Sequence, residues 1–340
     1  MLVEAPAETL FFALARAEDA VSRLDEVLRA CPFAGGWESR VDFAEAVAWG
    51  WNSGFVVTHD DLLLHDGKLD AQAPEPALIT ARALLTARRR ARRAGPELLS
   101  AAGIAWLAGA SRRQPLPGPI RPRTSRQSRL DAFSHTSILE RLTASLAGVT
   151  SGVSDTAREN LNEWLALFGN RELAAPPLLH AAFGLEAWSI IDPLPRRSFL
   201  GAVLVAHWLH TQKRVKSGLL GIEGGVRVRS RLRSAIAPSD YVPRLTFWLN
   251  AITDAAAAGV AEAQRLELAR QMLERRTRGR RASSKIHEAI DYVMGRPLVT
   301  ANDLAGGLRI TGMSARRLLE ELSPPLKEVS GRSRYRAWRL

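Results

Sequence analysis

Between Thr300 and Leu340 the chain reads TANDLAGGLRITGMSARRLLEELSPPLKEVSGRSRYRAWRL, with arginines at 316, 317, 332, 334 and 336 set among small, polar and apolar residues. An arginine guanidinium is a planar fork of donors that matches guanine O6 and N7 bidentately, or a phosphate. Arg316 and Arg317 are adjacent, so on a helix they point about 100° apart. One is then placed to read a base edge while its neighbour takes a phosphate. Gly312, Met313 and Ser314 precede them on the same helix start. Thr300 and Thr311 sit where helices begin and suit contact with a phosphate group. Arg332, Arg334 and Arg336 fall in and after the turn of an expected basic hairpin, where they would lie along the sugar-phosphate backbone while Tyr335 or Trp338 packs on the domain.

Positioning those side chains takes two short crossing helices and a hairpin. Leu304, Ala305 and Leu308 form the buried face of the first helix, Ile310 lies in the turn, and Ala315, Leu318, Leu319 and Leu322 give the second helix an i, i+3, i+4, i+7 stripe. Ala305 and Ala315 are small, as a close crossing of helix backbones requires. Thr300 with Asp303 is expected to cap the first helix and Thr311 the second, with Pro324 and Pro325 ending it. Leu326–Val329 and Arg334–Trp338 are expected to pair as strands around Ser330–Ser333. This is the pattern of a winged helix-turn-helix, whose second helix enters the major groove of duplex DNA. The tight turn commonly uses glycine, but Arg309 stands there and must adopt the turn with a Cβ or reshape it.

Other chemistry finds less support. No Gly-x-Ser-x-Gly elbow and no His-Glu-x-x-His pair occurs. Cys31, the single cysteine, excludes an internal disulfide and reads as a packing residue. His207 and His210 share a helix face without a third ligand in reach, so satisfied core histidines are expected and no metal. The loop beginning at Gly221 (GIEGG) lacks the Lys-Ser/Thr ending of a phosphate loop. No cofactor and no catalytic residue is expected.

The formal net charge is +12 over 340 residues, and it is unevenly spread. Residues 1–81 hold 5 Lys/Arg against 14 Asp/Glu, whereas residues 275–340 hold 15 against 6. An acidic head and a basic tail point to a nucleic-acid surface at the tail. A general preference for arginine as the solubilising residue contributes to the same excess. The longest apolar run, Phe199–Leu209, falls well short of the ~20 residues of a membrane span. No basic region followed by an apolar run opens the chain, so a cytoplasmic protein is expected.

Upstream, amphipathic helices are expected over Thr9–Ala30, over Glu38–Trp51 with Val41, Ala44, Val47, Ala48 and Trp51 inward, and over Pro76–Ala94. The last ends in the run Arg88–Arg93, read either as a solvated helix end or as a phosphate patch. Further helices are expected at Asp131–Leu146, Ala157–Phe168 and Pro177–Ile191, a buried one at Phe199–Leu209, and two within Val242–Met272. Arg227, Arg229, Arg231 and Arg233 alternate, which fits an extended charged segment or a frayed helix start. The fold class is mainly α: an N-terminal helical domain (1–110), a linker of four prolines and six arginines (111–129), a central helical domain (130–274) and the winged helix-turn-helix (282–340). The basic hinge Arg275–Arg281 and the linker arginines would add phosphate contacts.

The stretches RLDEVLRACPFAGGWESRVDFAEA, ALLTARRRARRAG, ARQMLERRTRGRRASSKIHE and GRSRYRAWRL resemble a bacterial family, often plasmid-borne, that pairs an uncharacterised α-helical domain with a C-terminal helix-turn-helix. The resemblance spans nearly the whole chain and implies DNA binding. A fainter likeness is to Fic proteins, which transfer AMP or related groups and often end in a winged helix. Their motif, His-Pro-Phe-x-x-Gly-Asn-Gly-Arg, has its nearest counterpart in Asp192-Pro193-Leu194-Pro195-Arg196-Arg197-Ser198-Phe199-Leu200, where only the proline survives. Asp192 is therefore given no catalytic role. The expected function is a DNA-binding transcriptional regulator whose partner is duplex DNA, with a homodimer on paired half-sites left open, no membrane association, and no effector named by the sequence. The alternative is a Fic-like nucleotide-transfer enzyme, or a catalytically dead relative acting as a protein-interaction adaptor.

Overall fold

A computed structural model describes residues 6–70, 73–109, 135–147, 157–170, 173, 175–237, 239–278, 285–331 and 336–340. Its spine is α11 (Tyr241–Arg276), one helix of 36 residues where two were expected. Pro243 falls in its first turn, where the missing N–H costs nothing. Gly259, the residue most costly to helicity there, is held from outside. Trp37 donates its indole N–H to the Gly259 carbonyl at 2.8 Å, and a Cβ on Gly259 would stand 2.9 Å from Leu24.

Helix α1 (Pro6–Arg29) lies along this spine, burying the stripe Leu10, Ala13, Leu14, Ala17, Val21, Leu24 and Leu28 that helical spacing marked out. Small buried residues occur on both helices, Ala13 and Ala17 on α1 and Ala251, Ala255, Ala256 and Ala263 on α11. Two helices, α8 (Pro177–Ile191) and α9 (Leu200–Thr211), are buried on nearly every face and fill the centre. Around them stand α2 (Ala34–Asn52), α3 (His59–Asp66), α4 (Pro76–Arg93), α5 (Ala101–Leu107), α6 (His135–Ala147), α7 (Ala157–Phe168) and α10 (Ile222–Arg233). The described residues of the segments 1–110 and 130–274 share one hydrophobic core, with α1 and α2 packed on α11 and α4 on α9. The expected linker, 111–129, lies outside the described residues. Among the described residues no helix is long and apolar enough to cross a membrane.

Two charged segments behave differently from their hydropathy. In α2, Ala44 and Trp51 are exposed, while Asp42, Glu45, Phe43, Ala46 and Trp49 face inward. The cause lies on α4. Arg88 has no exposed surface, donates from Nε to Asp42 at 2.7 Å, sits 3.6 Å from Glu45, and donates to the carbonyls of Leu219 and Leu220. Arg92 pairs with Glu38 and Asp42, Arg89 is bidentate on Asp66, and Arg90 lies over Trp106. The phosphate-patch reading of Arg88–Arg93 is thus corrected. Four of these five arginines are committed to partners within the fold, and Arg93 alone is exposed. Burial raises the carboxyls of both Glu38 and Glu45 to about 7, against the pull of the arginines.

The alternating arginines 227–233 lie on a helix, not an extended segment. Gly225 is obligatory in α10, since a Cβ there would sit 1.9 Å from the Ala251 carbonyl of α11. The arginines divide between the flanks of that contact. Arg229 pairs with Asp254, Arg233 stacks over Trp248, and Arg227 stacks over the exposed Trp51.

Candidate nucleic-acid interface

The C-terminal module starts with α12 (Ile286–Met294), which buries Ile286, Ala289, Ile290, Val293 and Met294. Next come β1 (Val299–Thr300) and α13 (Ala301–Leu308). The Thr300 hydroxyl accepts the Asp303 N–H at 3.1 Å while the Asp303 carboxylate accepts the Thr300 N–H at 3.0 Å, a reciprocal capping box. Thr311 caps α14 (Gly312–Glu321) by accepting the Ser314 N–H at 3.2 Å. Between the helices Arg309 takes the left-handed conformation, φ 56° and ψ 48°, and the Ile310 N–H closes on the Ala305 carbonyl.

The left-handed region costs a residue with a Cβ about 1–2 kcal/mol. Arg309 is exposed, so its side chain offers no burial in return. Arg309→Gly is therefore expected to leave the fold intact and to stabilise it by up to about 1 kcal/mol, after allowing for glycine's looser unfolded chain. A lower urea midpoint for the variant would show that Arg309 holds the turn through a contact of its own.

Leu304, Leu308, Ala315, Leu319 and Leu322 are buried as their spacing requires, and Ala305 and Leu318 half-buried. A further tight contact joins α13 to α12. The Tyr292 ring of α12 lies where a Cβ on Gly307 would stand, 2.1 Å away, and its hydroxyl donates to the Asp303 carbonyl at 2.8 Å. Two strands complete the module, β2 (Lys327–Glu328) and β3 (Ala337–Arg339). The hairpin falls close to its expected place, but β3 also pairs with β1, Val299 opposite Trp338, to give the order β1-β3-β2. A two-residue strand leaves no periodicity to read, so β1 was invisible in the sequence.

Met313 is 85% exposed, and Ser314, Arg316 and Arg317 also face outward from the first turns of α14. Among the described residues neither Arg316 nor Arg317 makes an ion pair, whereas Arg336 lies 3.5 Å from Glu320. Ser314 is partly engaged, its hydroxyl 2.9 Å from that of Thr311. Thr300, Arg316, Arg336 and Trp338 line one groove of about 280 Å³, and Leu69 of the body stands in the same lining. Arg332 and Arg334, with Tyr335, lie outside the described residues, as does the hinge from 279 to 284. In the part of the hinge that is described, Arg275, Arg276 and Arg278 are all exposed, and Arg276 donates to the carbonyls of Glu321 and Pro324 and so caps α14.

The module is fastened to the body by a residue the sequence did not single out. Arg40 of α2, 5% exposed, donates to the carbonyls of Val293, Met294 and Arg296, at the end of α12. A Cβ on Gly36 would overlap the Met294 carbonyl, so α2 meets α12 backbone to backbone. Arg339 pairs with Asp60 at 2.6 Å.

The remaining candidates are occupied by the protein itself. The Glu45 carboxylate accepts the Glu223 and Gly224 N–H groups, so the anion position at the start of α10 is filled from within. The rings of His207 and His210 bond the Gly95 and Val215 carbonyls respectively. Asp192 ends α8 in a left-handed conformation and is exposed, and the Trp188 indole lies over Gly201 in the first turn of α9.

Residues 155–278 match the family described as a protein of unknown function (DUF1612), and residues 286–340 match a helix-turn-helix DNA-binding domain. The uncharacterized protein y4cF of Sinorhizobium fredii is 30% identical over a gapped alignment of 368 positions that covers 93% of each chain. The chain belongs to this family. It joins a DUF1612 domain to a C-terminal helix-turn-helix domain of DNA-binding type, as the resemblance implied. A crystal structure of a Fic family protein from Desulfovibrio desulfuricans superposes with a TM-score of 0.52 at 15% identity, over 100% of this chain and 97% of that one. The likeness there is one of fold.

Proposed function

We propose that this DUF1612–helix-turn-helix protein is a transcriptional regulator that grips duplex DNA through α14 and the hairpin that follows it. The observation that carries the reading is the groove itself: Thr300, Arg316 and Arg336, remote in sequence, line one wall system beside the exposed start of α14. In this reading Arg316 or Arg317 takes guanine O6 and N7 while the other holds a phosphate. The exposed Met313 thioether meets a thymine methyl, and Ser314 reaches a base edge with what its bond to Thr311 leaves free. Thr300 and Thr311 hold phosphates at the helix starts. Arg332, Arg334 and Arg336 follow the backbone as a wing. Residues 282–340 are the DNA module, and the helical body presents it.

The protein acts here by binding and not by turnover. Support comes from the sequence stretch nearest the Fic motif, Asp192–Leu200, which keeps only its proline, where Asp192 is exposed and the Trp188 indole packs over Gly201 at the α9 start.

One arginine of α14 and the three of the hairpin amount to about four phosphate charges per chain, so log K should fall with log salt at a slope of roughly −3 to −4. Fluorescence anisotropy on genomic duplexes between low and physiological salt measures it, with the same strands unpaired as competitors. A flat salt response, or single strands competing as well as duplex, would overturn the duplex reading.

A further inference from the structure

A cavity of about 410 Å³ lies where the body meets the DNA module, with α2, α10 and α11 on one side and Pro297, Arg339 and Leu340 on the other. That volume is in the range of small-molecule sites. Its walls are mainly apolar, from Trp37, Val41, Leu220, Ala255 and Ala258. The charges around it are mostly spent. Arg265 is bidentate on Glu262, Arg339 is paired with Asp60, and Glu45 is turned to the N–H groups of α10.

Arg40 is the exception. Its two terminal nitrogens donate to neutral carbonyls, its Nε is buried without a partner, and among the described residues no carboxylate pairs with it. A buried cation with no carboxylate in contact is costly unless something completes it. Burial lowers its guanidinium to about 10, and the charge of Glu262, also on the cavity wall, offsets part of that. Across the same cavity, His59 Nδ1 is also buried with no partner.

We propose that this cavity is a binding site for a small organic carboxylate with an apolar body, whose anionic group completes Arg40 and whose body fills the space between α2, α11 and the module. Occupancy bridges body and module and holds them in the docked arrangement. In that arrangement Leu69 of the body stands against the groove that Arg316 and Arg336 line, where it competes with a duplex for the same space, so the carboxylate-bound protein is the weaker DNA binder. This last step rests on the duplex reading above, whereas occupancy of the cavity does not.

Gly224 provides a clean test. It lines the cavity on α10, and a Cβ placed there meets nothing within 4 Å. Gly224→Phe therefore fills the space without disturbing the fold, and its N–H stays bonded to Glu45. Calorimetric titration of the full chain with octanoate, benzoate and naphthoate, each against its amide, is the experiment. At least one carboxylate is expected to bind one molecule per chain with a Kd below about a millimolar, and its amide about tenfold more weakly or worse. Gly224→Phe should abolish that binding, and Arg40→Gln should weaken it about tenfold or more. No saturable carboxylate binding, an amide that matches its acid, or wild-type affinity in Gly224→Phe each overturns the site. For the coupling, the bound carboxylate should weaken duplex binding about fivefold or more, and duplex should weaken the carboxylate by the same factor. An unchanged or tighter duplex affinity overturns the coupling. A protein that binds the carboxylate but no duplex at all overturns the duplex reading and leaves the site standing.

Discussion

Arg88→Met is expected to destabilise the protein by about 3–5 kcal/mol, the cost of removing one partner from a buried charge cluster. Arg88 is fully buried, and Asp42 and Glu45 beside it are 1% and 2% exposed. Methionine has a similar length and fills the same channel, so the loss is electrostatic and not a cavity. Asp42 keeps Arg92, but Glu45 keeps only two N–H donors, and the Leu219 and Leu220 carbonyls lose their donor. The urea midpoint should fall with little change in slope. Neutralising the carboxylates as well, in Arg88→Met with Asp42→Asn and Glu45→Gln, should restore much of the stability, because a neutral buried cluster carries no uncompensated charge. If the triple variant were no more stable than Arg88→Met alone, packing and not charge would account for the loss.

Arg316→Ala with Arg317→Ala is expected to weaken duplex binding by about 2–4 kcal/mol, on the order of a hundredfold in Kd. The two guanidinia are exposed and carry no ion pair among the described residues, so truncation leaves the fold unchanged. The single lysine variants separate the roles. Lysine keeps the point charge and loses the fork. The arginine that reads guanine should therefore lose sequence preference as lysine, while the one on a phosphate should lose little. Wild-type affinity of the double alanine variant at equal ionic strength would remove α14 from the interface.

Much of the module was legible because its determinants are local. The capping box at Thr300–Asp303, the Thr311 cap and the Ala315–Leu319–Leu322 stripe each need only residues within a turn or two. The same holds for α1, whose whole buried stripe follows from spacing. Arg309 shows the limit of a local rule. The turn geometry was anticipated and is present, but with an arginine in the left-handed region that glycine ordinarily takes.

What spacing could not supply was the fate of charge. Read by hydropathy, Asp42 and Glu45 belong outside and Trp51 inside, and the opposite holds. The reason is that burying a charge depends on a partner distant in the chain. Arg88 lies 46 residues from Asp42 and 132 from Leu220, and Arg40 lies 254 from the Met294 carbonyl it binds. By itself the sequence determined the helices, their caps, the mainly α class and the helix-turn-helix. Tertiary structure alone decided which arginines were spent inside the fold, and it placed a cavity beside the buried Arg40 between body and module. Periodicity and capping act within a few residues, whereas desolvating an ion pair is a negotiation between segments that only folding brings together.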